Sequence, residues 1–259
     1  MLSAPRLILV DLDGTLLGAD GAVSERNAAA LSRATDAGSR VVVATGRPAR
    51  LLGPIRKSLQ SSIALCYNGA IVLDLASGAI IDSHLLEGRL FRDAVEALRG
   101  EGLEFVVGVE GMPEVGIRTE PGFRPGAAIP RASLDELTTA GIVKGLVRAN
   151  ADQFGAVWDA LERFPDTLTV TRSGVDGLIE VSAVGVTKGG VIDGLARGWG
   201  IPSAEAIAFG DMPNDLEMLR WAGWSVAMGN AEPEVKLVAS EVAEDHDADA
   251  VAKVLERWF

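Results

Sequence analysis

Leu7-Ile8-Leu9-Val10-Asp11-Leu12-Asp13-Gly14-Thr15 is the stretch that decides the fold. Four apolar residues in a row are the pattern of a short strand buried on both faces of a parallel sheet. The run ends in two carboxylates that flank one leucine, and then a glycine. Ligands of open parallel sheets bind at the carboxyl ends of the strands, so Asp11 and Asp13 stand where chemistry is expected. An Asp-x-Asp pair in a tight turn can bring two acidic groups to one metal. An EF-hand loop is a poorer reading, because Thr15 stands where that pattern needs Asp or Asn and no glycine follows in register.

The segments that follow alternate in the same way. Residues 24–37 read as a helix, with Ser24 as N-cap, Ala28, Leu31 and Ala34 on one face, and Gly38 as the stop. Val41-Val42-Val43-Ala44 is a second buried strand, Pro48 to Leu59 a second helix with proline in its first turn, and Ile63-Ala64-Leu65-Cys66 a third strand. Strand–helix–strand–helix–strand predicts a parallel sheet with crossover helices. The pattern returns near the C-terminus: a helix over 187–199, a strand at Ala206–Phe209, a helix over 214–221, a strand at Trp224–Ala227, a helix around 232–239, an edge strand at 241–244 and a closing helix over 248–258.

Between these stretches the pattern changes. Residues 70–74 and 79–83 read as a hairpin around Ala76-Ser77-Gly78. A helix carrying Leu90, Phe91, Ala94, Val95 and Leu98 follows, then a strand at 104–109 and a stretch rich in Gly, Pro and Arg from 111 to 130. A strand at 142–149, a helix with Phe154, Val157, Trp158 and Leu161, and a hairpin across residues 173–177 complete it. The expected fold is α/β, with a Rossmann-like parallel-sheet core formed by 1–83 and 186–259, and an α+β domain, 84–185, inserted into it.

Composition narrows the function. The 259 residues carry a formal charge of −12, so nucleic acid and anionic lipid are repelled. A phosphate substrate is repelled as well, so any anion site must be built locally from cations, backbone N–H groups and a metal. One cysteine, Cys66, excludes a disulfide framework and a cysteine-based zinc site within one chain. With only two histidines, His84 and His246, a histidine-rich metal site is excluded and a Ser-His-Asp triad disfavoured. The first six residues do not read as a signal peptide, and no apolar run reaches the ~18 residues of a membrane span. The expected setting is the reducing cytoplasm, with neither a nucleic-acid nor a membrane partner.

Three further segments bear on chemistry. Thr45-Gly46-Arg47-Pro48 puts a hydroxyl at a strand end, a glycine open to close approach and a helix start together, which makes a phosphate seat. Lys188, in Val186-Thr187-Lys188-Gly189-Gly190, is not part of a Walker A loop; it falls near a helix N-terminus, where its charge opposes the macrodipole, and so hints at a role beyond structure. Gly210-Asp211-Met212-Pro213-Asn214-Asp215 directly follows a buried strand, with Asp211 and Asp215 four apart across a turn that opens a helix. Alone, each is equally well a capped helix or polar turn. Together they would have to fall by accident on one side of one sheet.

These residues resemble the haloacid dehalogenase-like phosphohydrolases, specifically the Cof-type sugar-phosphatase branch. The likeness rests on Asp11-Leu12-Asp13-Gly14-Thr15, Thr45-Gly46-Arg47, Lys188 and Gly210 to Asp215, in that order, with Tyr67-Asn68-Gly69-Ala70 and Ala227-Met228-Gly229-Asn230-Ala231 as further segments. It implies a magnesium-dependent phosphatase acting on a small-molecule phosphate ester. Asp11 is then the nucleophile that forms an aspartyl-phosphate, and Asp13 the general acid and base. Mg2+ is held by the Asp11 carboxylate, the Asp13 backbone carbonyl and Asp211, with Asp215 a further ligand or a support. Thr45 and Lys188 act on the phosphoryl group, Asn214 positions Lys188 or the phosphate, and Gly46, Arg47, Asn68 and Gly69 line the substrate. One departure is Asp249-Ala250-Val251-Ala252, where the family often has Gly-Val-Ala, away from the chemistry.

The same resemblance makes 84–185 a cap that sets specificity, with Arg118, Arg124, Arg131, Arg148 and Arg172 as candidates for a second anionic group and His84 as a junction residue. A phosphotransferase or mutase using the same aspartyl-phosphate, and a phospho-metabolite binding protein without turnover, stay open. Substrate and oligomeric state are not fixed by sequence.

Overall fold

The computed structural model describes residues 3–53, 55–124, 128–172 and 177–259. The chain divides into two compact units, Met1–Asp82 with Thr187–Phe259, and Ser83–Val186.

The first segment runs β1 (Leu7–Val10), α1 (Glu25–Asp36), β2 (Arg40–Ala44), β3 (Ile63–Cys66), β4 (Ile71–Asp74) and β5 (Ile80–Ser83). The second unit contributes α2 (Gly88–Gly100), β6 (Phe105–Glu110), β7 (Ile117–Thr119), α3 (Leu134–Leu137), β8 (Lys144–Ala149), α4 (Phe154–Leu161), β9 (Leu168–Arg172) and β10 (Leu178–Ala183). The chain then returns with α5 (Lys188–Gly198), β11 (Ala206–Gly210), α6 (Leu216–Trp221), β12 (Trp224–Ala227), α7 (Pro233–Val238), β13 (Glu241–Val242) and α8 (Ala250–Leu255).

In the first unit the strand order is β13-β12-β11-β1-β2-β3-β4-β5. The six strands from β13 to β3 are parallel, and β4 pairs antiparallel with β3. β1 lies between β2 and β11, so the order of connection reverses there, and such a reversal opens a crevice beyond the strand ends. All four β1 residues are fully buried. Alternation along the strand sends Leu7 and Leu9 to one face, where they pack with Val42, Ala44, Ala206 and Ala208 and with Ile192 and Met218 from α5 and α6. Helices α1 and α8 pack against each other, and Asn27 of α1 accepts a hydrogen bond from the Ala252 N–H of α8 through its Oδ1 (2.9 Å). α1 begins as its sequence predicts: the Ser24 hydroxyl accepts from the Asn27 N–H and satisfies one of the helix's open donors.

The α/β class with a parallel central sheet and a second α+β sheet is borne out. One element differs. The helix expected over 48–59 is replaced by two single 3₁₀ turns, Ala49–Leu51 and Arg56–Ser58. Gly53 and Pro54 stand in the middle of that stretch; glycine weakens a helix, and proline lacks the N–H that would continue it. Pro54 itself lies outside the described residues.

The second unit is a five-stranded antiparallel sheet of order β7-β6-β8-β10-β9. One face is covered by α2, α3 and α4, whose Phe91, Val95, Leu98, Leu137, Val157 and Leu161 meet Val107, Val147, Ile179 and Val181 of the strands. The stretch rich in Gly, Pro and Arg, 111–130, holds β7, and α3 carries a capping box between Ser133 and Glu136. The hairpin across 173–177 has its flanking strands paired antiparallel, while Ser173 to Asp176 lie outside the described residues. Three candidate arginines have local partners. Arg131 donates to Thr119 Oγ1 and to the Glu120 and Arg124 carbonyls, Arg148 lies over Phe123, and Arg172 over Phe154. Among the described residues no helix is long and apolar enough to cross a membrane.

Candidate active site

The carboxyl ends of β1, β2, β3 and β11 and the N-terminus of α5 carry the residues singled out by sequence. Asp11 follows β1 directly, and its N–H donates to the Phe209 carbonyl of β11 (3.1 Å), which ties the turn to the sheet. Lys188 is the first residue of α5, behind the N-cap Thr187, whose hydroxyl accepts from the Gly190 N–H (3.0 Å). The lysine side chain has no exposed surface. Its Nζ donates to Asp11 Oδ1 and to Asp215 Oδ1, each at 2.6 Å. A buried ammonium survives only if carboxylates repay its lost hydration. Burial alone would lower its pKa; Asp11 and Asp215 overcome that and hold Lys188 above its ordinary range.

Asp11, Asp211 and Asp215 place carboxylate oxygens within 4.8 Å of one another, all buried. Three carboxylates around one lysine leave an excess of negative charge in a desolvated place. The cost shows at Asp211 and Asp11. Burial, and then the Asp215 charge, push Asp211 up to about 6; burial, with Asp215 and Asp211 and against the pull of Lys188, raises Asp11 well above the carboxylate range. A divalent cation is the partner such a donor set lacks, so these residues fit a hard metal ion. Asp215 is the most engaged of the three: Oδ1 takes the lysine, while Oδ2 accepts from the Asp211 and Met212 N–H groups at 3.0 and 3.1 Å.

Two glycines let these acids approach. Gly14 has φ +78°, and a Cβ there would lie 2.3 Å from Asp211 Oδ2; a Cβ on Gly210 would lie 2.6 Å from that of Asp215. Thr15 completes the group by donating from Oγ1 to Asp211 Oδ1 at 2.9 Å.

On the other side stands the β2 loop. Thr45 is fully buried, and its Oγ1 accepts from the Arg47 N–H (3.0 Å). Its carbonyl accepts from the Asn68 N–H (2.9 Å), and the Arg47 carbonyl from the Tyr67 N–H (3.1 Å). Those bonds hold Tyr67, Asn68 and Gly69 in three successive positive-φ conformations of 53°, 59° and 108°. For the two non-glycine residues this costs of order 1–3 kcal/mol each. Asn68 Oδ1 is thereby aimed over Gly46, 3.3 Å from where a Cβ would sit. Asn214 Nδ2 donates to that same Oδ1 at 3.0 Å, so Asn214 is joined to Asn68, and Lys188 is set by Asp11 and Asp215 instead. Asp13 points away from the acidic cluster: its two oxygens accept from Arg47 Nε and Nη2 at 2.7 and 2.5 Å.

Two residues assigned no role by sequence reasoning fix the Asp13–Leu17 turn. Asn230 Nδ2 donates to the Gly14 carbonyl (2.8 Å), while its Oδ1 accepts from the His246 N–H (3.2 Å). His246 Nδ1 lies 2.8 Å from the Leu17 carbonyl, an acceptor, so that nitrogen carries the proton. His246 forms a second carboxylate–histidine cluster with Asp245 and Asp247, but Asp247 Oδ1 is already taken by the Ala19 N–H (2.8 Å). The signal for Asn230 was its place in a loop beyond a buried strand on the same edge as Asp211.

The sequence matches the family described as haloacid dehalogenase-like hydrolase over residues 8–255. The chain is a haloacid dehalogenase-like hydrolase. It falls in the Cof-type branch, and its activity is that of a phosphoric monoester hydrolase. Among its relatives, a 5-amino-6-(5-phospho-D-ribitylamino)uracil phosphatase of Bacillus subtilis strain 168 is 27% identical over 286 residues, covering 100% of this chain and 99% of its own. A pyridoxal phosphate phosphatase of Escherichia coli K12 is 27% identical, with 96% and 97% covered. Among solved structures, a phosphatase of the same superfamily from Bacteroides thetaiotaomicron superposes with a TM-score of 0.84 at 26% identity, covering 98% of this hydrolase and 95% of that chain.

Proposed function

We propose that this hydrolase cleaves small phosphorylated metabolites, sugar phosphates among them, with magnesium bound and Asp11 as nucleophile. The observation that carries the reading is the Lys188 ammonium held between Asp11 and Asp215 at 2.6 Å from each, beside Asp211, at the carboxyl end of β1. No hydrogen bond reaches Asp11 Oδ2 among the described residues, which leaves that oxygen open for attack.

In the proposed reaction an Asp11 oxygen forms a bond to phosphorus as the ester P–O bond breaks. Asp13 passes a proton to the leaving oxygen. The same Asp13 carboxylate then takes a proton from the water that attacks phosphorus and releases Asp11. Thr45 and Lys188 donate to the phosphoryl oxygens, where negative charge grows in the transition state. Gly46, Arg47, Asn68, Gly69 and Asn214 line the phosphoryl seat. The Asp11 and Asp211 carboxylates and the Asp13 carbonyl would hold Mg2+, with Asp215, engaged on both oxygens, supporting Lys188 and the Asp211 turn. When bound, the ion supplies positive charge that offsets the repulsion between a carboxylate and a phosphate. The second unit is assigned the choice of leaving group. Two relatives named for unlike leaving groups, a ribitylaminouracil and a pyridoxal, support a small-metabolite substrate without naming one.

The test is phosphate release from a panel of esters, with and without magnesium, comparing the wild type with Asp11→Asn. Magnesium-dependent release that the variant lacks is expected, and full activity in the variant would sink the mechanism.

A further inference from the structure

Two bonds fasten the start of α5 to the start of α6. The inner one is the buried pair of Lys188 with Asp215, the residue just before α6. The outer one joins the neighbours of that pair: the Thr187 hydroxyl donates to Glu217 Oε2, in the first turn of α6. The same hydroxyl oxygen accepts from the Gly190 N–H (3.0 Å), so one group caps its own helix and reaches the next. A cap needs only the acceptor half of a hydroxyl. Here the donor half goes to a carboxylate, in the stronger, charge-assisted kind of hydrogen bond.

The two helices meet closely at this point. A Cβ on Gly189 would lie 2.7 Å from the Glu217 carbonyl carbon. Further along both helices Trp221 Nε1 donates to Asp193 Oδ1 at 2.9 Å. That tie alone leaves α5 able to roll or tilt about it. A second tie at the helix start fixes the first turn, and with it the direction in which the Lys188 stem leaves the backbone. Glu217 is exposed, and among the described residues it makes no hydrogen bond to Asp11, Lys188 or Asp211. Its charge does not favour the reaction either, since a carboxylate repels phosphate.

We propose that Glu217 is a positioning residue: through Thr187 it holds the first turn of α5 in the register that presents the Lys188 ammonium to Asp11 and to the phosphoryl group. This rests on the phosphatase reading above. Steady-state kinetics test it, in saturating magnesium and with the ester turned over best. The proteins are the wild type, Glu217→Ala, Thr187→Val, Thr187→Ser, Lys188→Met and the double variant Glu217→Ala/Lys188→Met. Glu217→Ala keeps the cap and loses the tie. It should lower kcat roughly tenfold, part of the loss that an ångström of misplacement brings, with KM little changed. Loss of its charge alone would act in the other direction. Thr187→Val should lose at least as much, and Thr187→Ser, which keeps both halves of the hydroxyl, should recover most of that loss. In the Lys188→Met background Glu217→Ala should cost nothing further, because no ammonium is left to position.

Wild-type kcat in Glu217→Ala, no recovery with Thr187→Ser, or an equal fall with and without Lys188 would each overturn the proposal. A tie that serves stability alone would lower the melting temperature and leave kcat unmoved well below the melt. Glu217 is exposed and Val nearly matches Thr in shape, so the variants should fold, and melting curves check it. Wild-type turnover with a failed cycle removes the positioning role alone. No turnover of any ester by the wild type removes the phosphatase reading, and this role with it.

Discussion

Lys188 Nζ stands midway between Asp11 and Asp215, 2.6 Å from an oxygen of each, with no solvent contact. Its removal leaves three buried carboxylates with no cation. For Lys188→Met we expect turnover to fall by about a hundredfold or more, the usual loss when a preorganised transition-state donor is deleted. Breaking a buried pair from one side also costs about 3–5 kcal/mol of stability. Melting in chelator and again in magnesium reads the second effect; the loss should shrink with magnesium, which takes over part of the neutralisation.

The raised Asp211 gives a pH dependence whose sign is set. Its folded pKa of about 6 exceeds the ordinary carboxylate value of 3.8, so the native state binds the proton more tightly than the unfolded chain. The metal-free protein therefore loses stability from this group as pH rises between those two values, and the loss is complete above the upper one. Asp211→Asn should flatten that slope: in chelator its melting temperature should gain on the wild type more at pH 7 than at pH 4. A parallel shift at both pH values would show that Asp211 is not the group responsible.

Gly14 carries a positive φ and has Asp211 Oδ2 where a side chain would begin. Gly14→Ala should therefore cost about 1–3 kcal/mol in backbone strain. Because the displaced group is a proposed metal ligand, the magnesium concentration for half-maximal activity should rise more than the melting temperature falls. Titration calorimetry with magnesium alone separates the two.

Asn230 holds the Gly14 carbonyl through one hydrogen bond. Asn230→Ala should cost about 1 kcal/mol of stability, the net worth of one such bond. It should also lower kcat, since the turn it steadies carries Asp13. Wild-type kcat in this variant would mean that the turn holds itself.

Burial pushes the Cys66 thiol up to about 12, so little thiolate exists at neutral pH. The folded protein should leave a thiol reagent unconsumed at pH 8, and one equivalent should react after denaturation.

How much of this was legible in the sequence follows the range of each interaction. β1 and its acidic turn were readable because both burial and the strand-end position are written in consecutive residues. Lys188 stands out in the sequence only as a lysine that opens a helix against the helix dipole; its bond to Asp11 spans 177 positions and that to Asp215 spans 27, and neither is written locally. The 48–59 stretch opens with a proline suited to a helix start, but the Gly53-Pro54 pair in its middle breaks the helix into two short 3₁₀ turns. Asn230 is visible in sequence only as part of the Ala227–Ala231 segment and His246 carries no local pattern; their role exists only because β12 and the chain after β13 end beside Gly14 and Leu17. The Asp13–Arg47 pair likewise joins two motifs that sequence treats separately.

β1 is paired on one side by β2 and on the other by β11, and Leu7 of β1 lies opposite Ala206. A chain emerging from the ribosome thus makes the most buried strand of its sheet before the others, and that strand's second edge stays uncovered until β11 has been made. Until then an apolar edge stands open to wrong partners, a hazard for strands paired over long separations. Asp11, too, has neither its lysine nor its companion acids during that interval, so the nascent chain carries the attacking carboxylate long before it has the means to use it.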